Sequence, residues 1–127
     1  MTNTILLVED EEIMLRFLKQ RLIKENFETD IAVDGKQAIE FIDTKAYSLI
    51  ISDLMLPFVS GFELITKIRS STHNNATPLL ILSALSAEDI IVEAINIGAT
   101  DFLRKPFSMD VLVAKVKQLT EEAVHNG

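Results

Sequence analysis

The sequence predicts an α/β protein: one open, doubly wound parallel sheet with helices on both faces. Two observations carry this. Five short apolar runs alternate with longer segments of helical periodicity, and two of the middle runs, SLIIS and PLLILSA, are almost continuously apolar. Strands that alternate with helices pair in parallel through right-handed crossovers, and a strand covered on both faces loses in–out alternation. No repeat, low-complexity tract or linker interrupts the pattern, and 127 residues suffice for one domain with its own core.

Taken in order, TILLV (4–8) reads as the first buried strand. Met14, Leu18 and Leu22 then recur every fourth residue and make one apolar stripe on a helix over 12–24. ETDIAV (28–33) is a weaker strand, expected at or near an edge. Asp34 stands as N-cap to a helix through GKQAIEFIDT. SLIIS is the third strand, GFELITKIRSS the helix after it, and STHNNATP a loop. PLLILSA is the fourth strand. The helix in SAEDIIVEAINIG takes Ser86 as its expected cap and Gly98 as its stop. TDFLRKP is a short fifth strand, and SMDVLVAKVKQLTEEA closes the chain with Leu112, Val116 and Leu119 facing inward.

Composition removes several function classes. The net charge of −7, without a block of basic residues, argues against direct nucleic-acid binding, which rests on neutralising phosphates. The absence of cysteine excludes disulfides and thiolate chemistry. No stretch approaches the ~18 apolar residues of a membrane span. The start, MTNTILLVEDEE, lacks the basic region of a signal peptide. A cytoplasmic protein without membrane association is expected.

In open parallel α/β sheets, ligands bind beyond the carboxyl ends of the strands. Those ends carry Glu9, Asp10 and Glu11 after the first strand, Asp53 after the third, Ser83 on the fourth and Lys105 after the fifth. Singly each has an ordinary reading: acids at a helix N-terminus, a turn aspartate, a strand-end serine, an exposed lysine. Together they form a cleft of carboxylates that repel one another unless a cation intervenes. Oxygen-only ligation by one or two carboxylates suits Mg²⁺. Beside such an ion, Asp53 becomes a candidate nucleophile toward phosphorus, forming an acyl phosphate.

The acidic pair ED after ILLV, the lone aspartate in DLMLPFVSG, the SA after LLIL and the KPF after a short strand together resemble a response regulator receiver domain. The resemblance covers roughly residues 3–121, with the motifs in order. It implies a flavodoxin-like five-stranded sheet of order 2-1-3-4-5 with five helices on two faces. It also implies that residues 1–127 form a single receiver domain, either complete or the N-terminal part of a longer regulator. Asp53 would accept a phosphoryl group from a sensor histidine kinase or phosphotransfer protein. Asp10, Asp53 and the Met55 backbone carbonyl would bind Mg²⁺, with Glu9 acting through a metal-bound water. Ser83 and Lys105 would hold the phosphoryl group, and Phe102 would be the aromatic switch that responds when Ser83 moves inward. Such a domain is not a classical enzyme; it accepts a phosphoryl group and hydrolyses it slowly.

Further expectations follow from the resemblance. Met55 and Leu85, two residues after Asp53 and Ser83, offer no group to orient an attacking water, so the phosphoryl form is expected to be long-lived. Ile91, Ile95 and Phe102 are expected to form an output face on the fourth helix, fifth strand and fifth helix, open to a downstream protein, an effector domain or a second copy. Ile90, Ala94 and Ile97 form the stripe expected to be buried. Asp101, Lys115 and Lys117 resemble part of the ionic network of receivers joined to winged-helix domains. Ile91, Val111, Glu121 and Glu122 depart from it.

Three rivals are weaker. A haloacid dehalogenase-type phosphatase needs a second aspartate where Met55 stands, and the acids of VEDEE would repel a flavin phosphate. A phosphorylation-independent receiver-like module is the alternative, opposed by the presence of every motif residue. His73 and His125 are isolated and expected to be solvated.

Overall fold

The computed structural model describes residues 3–126, with side chains described through residue 121. Strands and helices alternate as β1 (Thr4–Val8), α1 (Glu12–Lys24), β2 (Glu28–Ala32), α2 (Gly35–Thr44), β3 (Leu49–Asp53), α3 (Gly61–Ser70), β4 (Leu79–Ser83), α4 (Glu88–Ile97), β5 (Asp101–Arg104) and α5 (Met109–Asn126). The sheet order is β2-β1-β3-β4-β5 and every pairing is parallel. All five residues of β1, of β3 and of β4 are buried, whereas β2 and β5 are partly exposed edges.

The two-residue period of a strand divides the apolar side chains between two cores. Leu6, Val8, Ile50, Leu79 and Ile81 face α2, α3 and α4. Ile5, Leu7, Leu49, Ile51, Leu80 and Leu82 face α1 and α5, where Leu112, Val116 and Leu119 project inward. On α1 the buried stripe is Leu15, Leu18 and Leu22; Met14 is half-buried beside it, because α1 is rotated to bring Leu15 down onto the sheet.

The Asp34 carboxylate accepts from the Gln37 N–H at 2.9 Å, and the Gln37 side chain accepts from the Val33 N–H at 3.0 Å. The Asp34 side chain thus caps α2, and Gln37 reaches back to the residue before the cap. Ser60 caps α3 by accepting from the Glu63 N–H at 3.1 Å. The start of α4 differs from expectation. Its cap is Ala87, without a side-chain hydrogen bond, and the Ala87 carbonyl accepts from the Ile90 and Ile91 N–H groups. Ser86 therefore precedes the cap by one position. Gly98 ends α4 at φ +132°, a conformation L side chains rarely adopt.

The loop before β4 holds a buried hub. Asn74, 1% exposed, donates to the carbonyls of Ile42 and Lys45 and accepts from the Tyr47 N–H and the Thr77 hydroxyl. Nearby, the Arg69 guanidinium donates to the carbonyls of Gly98 and Thr77 at 2.8 and 2.7 Å, linking the ends of α3 and α4 to the start of β4. Burial holds that guanidinium below its ordinary pKa. Among the described residues, no helix is long and apolar enough to cross a membrane.

Candidate functional site

The sheet register assembles the site. Val8 lies beside Ser52 and Asp53 beside Leu82, so Glu9 and Asp53 leave adjacent strands at nearly the same height. Ser83 lies beside Arg104, and Lys105 follows directly. Asp53 is the last residue of β3 rather than the first beyond it. A cleft of about 580 Å³ opens there, lined by Glu9, Asp10, Glu11, Asp53 and Lys105 with the loop Leu54–Pro57 and Ser60. Gly61 closes that loop: its N–H donates to the Leu54 carbonyl at 2.9 Å, and a Cβ on it would collide with the Leu54 backbone.

Lys105 ties the buried acids together. Its Nζ donates to Asp53 Oδ2 at 2.6 Å and to Glu9 Oε2 at 3.0 Å. The second Asp53 oxygen accepts from the Met55 N–H at 2.9 Å, and the second Glu9 oxygen accepts from the Glu11 N–H at 3.2 Å. Burial pushes the Glu9 carboxyl up; the Lys105 hydrogen bond opposes this, and the neighbouring Asp53 charge adds to it. Burial alone would lower the Lys105 ammonium, but hydrogen bonds to Asp53 and Glu9 outweigh it and hold that pKa above its ordinary value. The lysine is thus a fixed cation. Lys105 and Pro106 are joined by a cis peptide bond.

One ammonium faces four carboxylates in this cleft, a charge imbalance that favours a further cation. Among the described residues, no three acidic, histidine or cysteine side chains gather closely enough to ligate one ion by themselves. Mg²⁺ takes one or two carboxylates, accepts a backbone carbonyl and retains waters, so it does not require such a cluster.

The sequence model of the response regulator receiver domain matches residues 5–117. The chain belongs to that family. It is 40% identical to the response regulator ArlR of Staphylococcus epidermidis over 117 residues, 92% of this chain and 52% of ArlR. The chain therefore spans about half the length of that relative. The receiver domain of the Francisella response regulator 1452 superposes with a TM-score of 0.88 at 33% identity, covering 95% of this chain and 98% of that one. The receiver domain of the Pseudomonas aeruginosa sensor histidine kinase PA1611 superposes with a TM-score of 0.86 at 24% identity, covering 95% and 99%; its active site cleft holds a magnesium ion.

The receiver thus brings Glu9, Asp10, Asp53, Met55 and Lys105 into one cleft. Ser83 does not line it. Its hydroxyl is fully buried and accepts from the Leu85 N–H at 3.0 Å. Phe102 is half-buried against the core beneath α4. Ile95 is exposed, Ile91 half-buried, and Ile90 and Ile97 pack on the core with Ala94. Lys115 pairs with Asp101 at 2.8 Å, but Lys117 turns to Glu25 of α1 at 3.0 Å, because α5 presents it on its opposite side. His73 is exposed, and His125 lies outside the residues whose side chains are described.

Sequence reasoning missed Phe58. The Val59 N–H donates to the Pro57 carbonyl at 2.8 Å, a γ-turn that leaves Phe58 at φ +72°. For a non-glycine residue such a backbone costs about 1–3 kcal/mol. The residue is 75% exposed, with the Lys36 ammonium 4.7 Å from its ring centroid. No feature of a Pro-Phe pair signals this conformation, which belongs to a loop held by the Gly35–Pro57 and Gly61–Leu54 backbone bonds.

Proposed function

We propose that Asp53 is the phosphoacceptor of this receiver and that the donor is a phosphohistidine on a sensor kinase or phosphotransfer protein. The observation carrying this reading is a buried strand-end carboxylate held at 2.6 Å by a lysine, at the floor of an open acidic cleft. One carboxylate oxygen of Asp53 attacks phosphorus as the phosphorus–nitrogen bond to the imidazole breaks, and the departing imidazole takes its proton from water. Asp10, Asp53 and the Met55 carbonyl would hold Mg²⁺, with Glu9 reaching it through water. When bound, the ion supplies positive charge to the phosphoryl oxygens and offsets their repulsion by the acids. Glu9, already engaged by Lys105 and the Glu11 N–H, suits that outer role.

Lys105 sits where its ammonium shifts from the free carboxylate to a phosphoryl oxygen. Ser83 gives up the Leu85 N–H and turns toward the cleft to donate to another, and Phe102 fills the space beside α4. The surface so changed carries Ile91 and Ile95 and is the proposed output face, for an effector or a second copy. Residues 1–127 would act as one receiver domain, alone or as the N-terminal part of a longer regulator. Borohydride reduction of the acyl phosphate, followed by peptide mapping, tests the assignment. Homoserine at position 53 is expected, and reduction at any other acid would refute it.

A further inference from the structure

Phe58 adopts a backbone conformation that disfavours its side chain, and the fold does not account for its presence. Glycine or asparagine would hold φ +72° with less crowding. Phe58 is 75% exposed and buries little apolar surface; its cation–π contact with Lys36 lies at the surface, where such contacts contribute least. Strained residues that persist cluster where a mechanism uses them.

Position indicates the use. Met55 and Pro57 wall the acidic cleft, and Phe58 continues the same loop outward. Met55, at the cleft wall, and Phe58, three residues on, are both exposed apolar side chains of this loop. The loop is pinned on two sides: the Gly35 N–H donates to the Pro57 carbonyl at 3.4 Å, and the Gly61 N–H to the Leu54 carbonyl at 2.9 Å. Val59 packs so closely on Gly35 that a Cβ there would strike it. A rigid aromatic side chain anchors a contact at little entropic cost. Asp53 lies buried at the cleft floor, so a phosphoryl group borne by a protein reaches it only when that protein covers the rim.

We propose that Phe58 is a contact anchor for the phosphohistidine-bearing protein that loads Asp53, and that small phosphodonors do not need it. This rests on the reading of Asp53 as phosphoacceptor. The test compares Phe58→Asn and Phe58→Tyr with the unaltered chain, using two donors. One is acetyl phosphate with Mg²⁺. The other is the autophosphorylated histidine kinase that loads the unaltered chain fastest among those purified from the same genome.

Phe58→Asn should melt a few degrees higher, on the order of 4 °C, through relief of strain. It should load from acetyl phosphate as before and lose about tenfold in transfer rate from the kinase. Phe58→Tyr should keep the kinase rate. Kinase transfer to Phe58→Asn within about twofold of the unaltered chain overturns the proposal. So does an equal loss with both donors, which would place Phe58 in the site's own geometry, or an unaltered chain that acetyl phosphate loads but no kinase does. Failure of acetyl phosphate to load the unaltered chain refutes the phosphoacceptor reading itself.

Discussion

Replacing Lys105 with methionine tests whether one ammonium makes two neighbouring buried carboxylates tolerable. Its Nζ lies 2.6 Å from Asp53 and 3.0 Å from Glu9, and the three side chains are 14%, 9% and 3% exposed. Hydrogen bonds to charged groups contribute about 1.5–3 kcal/mol each, so the gross loss is roughly 3–6 kcal/mol. Water reaches the open cleft, and methionine avoids the desolvation of an ammonium, so a net loss of about 2–3 kcal/mol near pH 7 is expected without divalent cations. Urea unfolding followed by far-ultraviolet circular dichroism in EDTA measures it.

The pH dependence supplies a second constraint. The Glu9 carboxyl is raised above its ordinary 4.5 by burial, against the pull of Lys105, and removing the lysine raises it further. A carboxyl with a raised folded-state pKa binds more protons folded than unfolded, so stability falls as pH rises from 4.5 through the folded value. Below that window the penalty disappears. The Lys105→Met deficit should therefore shrink at about pH 5 relative to pH 7. A variant as stable as the unaltered chain near neutrality, or a deficit that widens on acidification, would refute the role given to the lysine.

Asn74→Ala removes four hydrogen bonds, three of them buried, at about 1 kcal/mol each and should lower unfolding stability by about 4 kcal/mol, measured by urea titration; a loss under about 1 kcal/mol would mean water replaces the side chain. With apolar, exposed side chains at Met55 and Leu85, the phosphoryl form should decay slowly after acetyl phosphate is removed by desalting into Mg²⁺ buffer, and the mass adduct disappearing before a first spectrum can be taken would contradict this. Ile95→Glu should leave acetyl phosphate loading intact while weakening capture of the output partner or the phosphorylated dimer in sizing chromatography. Capture and elution volume unchanged by the substitution would refute its place on the output face.

The fold was largely legible because each strand is a short, nearly continuous apolar run, and burial on both faces is what writes such runs. ETDIAV read as an edge strand because its polar residues need solvent, and β2 is the edge. The acids and the lysine of the cleft were legible from their places at strand ends. Helix details were less so: Met14 and Leu15 are both apolar, and only docking on the sheet selects Leu15. Ser86 looked like a cap, yet the β4–α4 connection runs one residue further before its backbone turns. Asn74 lies in a polar run that reads as solvated loop, since the buried hub depends on Ile42, Lys45 and Tyr47, all distant in sequence, besides the nearby Thr77. The Glu9–Lys105 bond joins residues 96 apart in sequence, and only the parallel register brings them together.

The measurement that bears most directly on the central claim is intact mass after incubation with acetyl phosphate and Mg²⁺, for the unaltered chain and for Asp53→Asn. A single phosphoryl adduct, absent from Asp53→Asn and from samples in EDTA, is the expected result. An adduct that persists in Asp53→Asn, or none on a folded unaltered chain, would contradict the assignment of Asp53 as the phosphoacceptor.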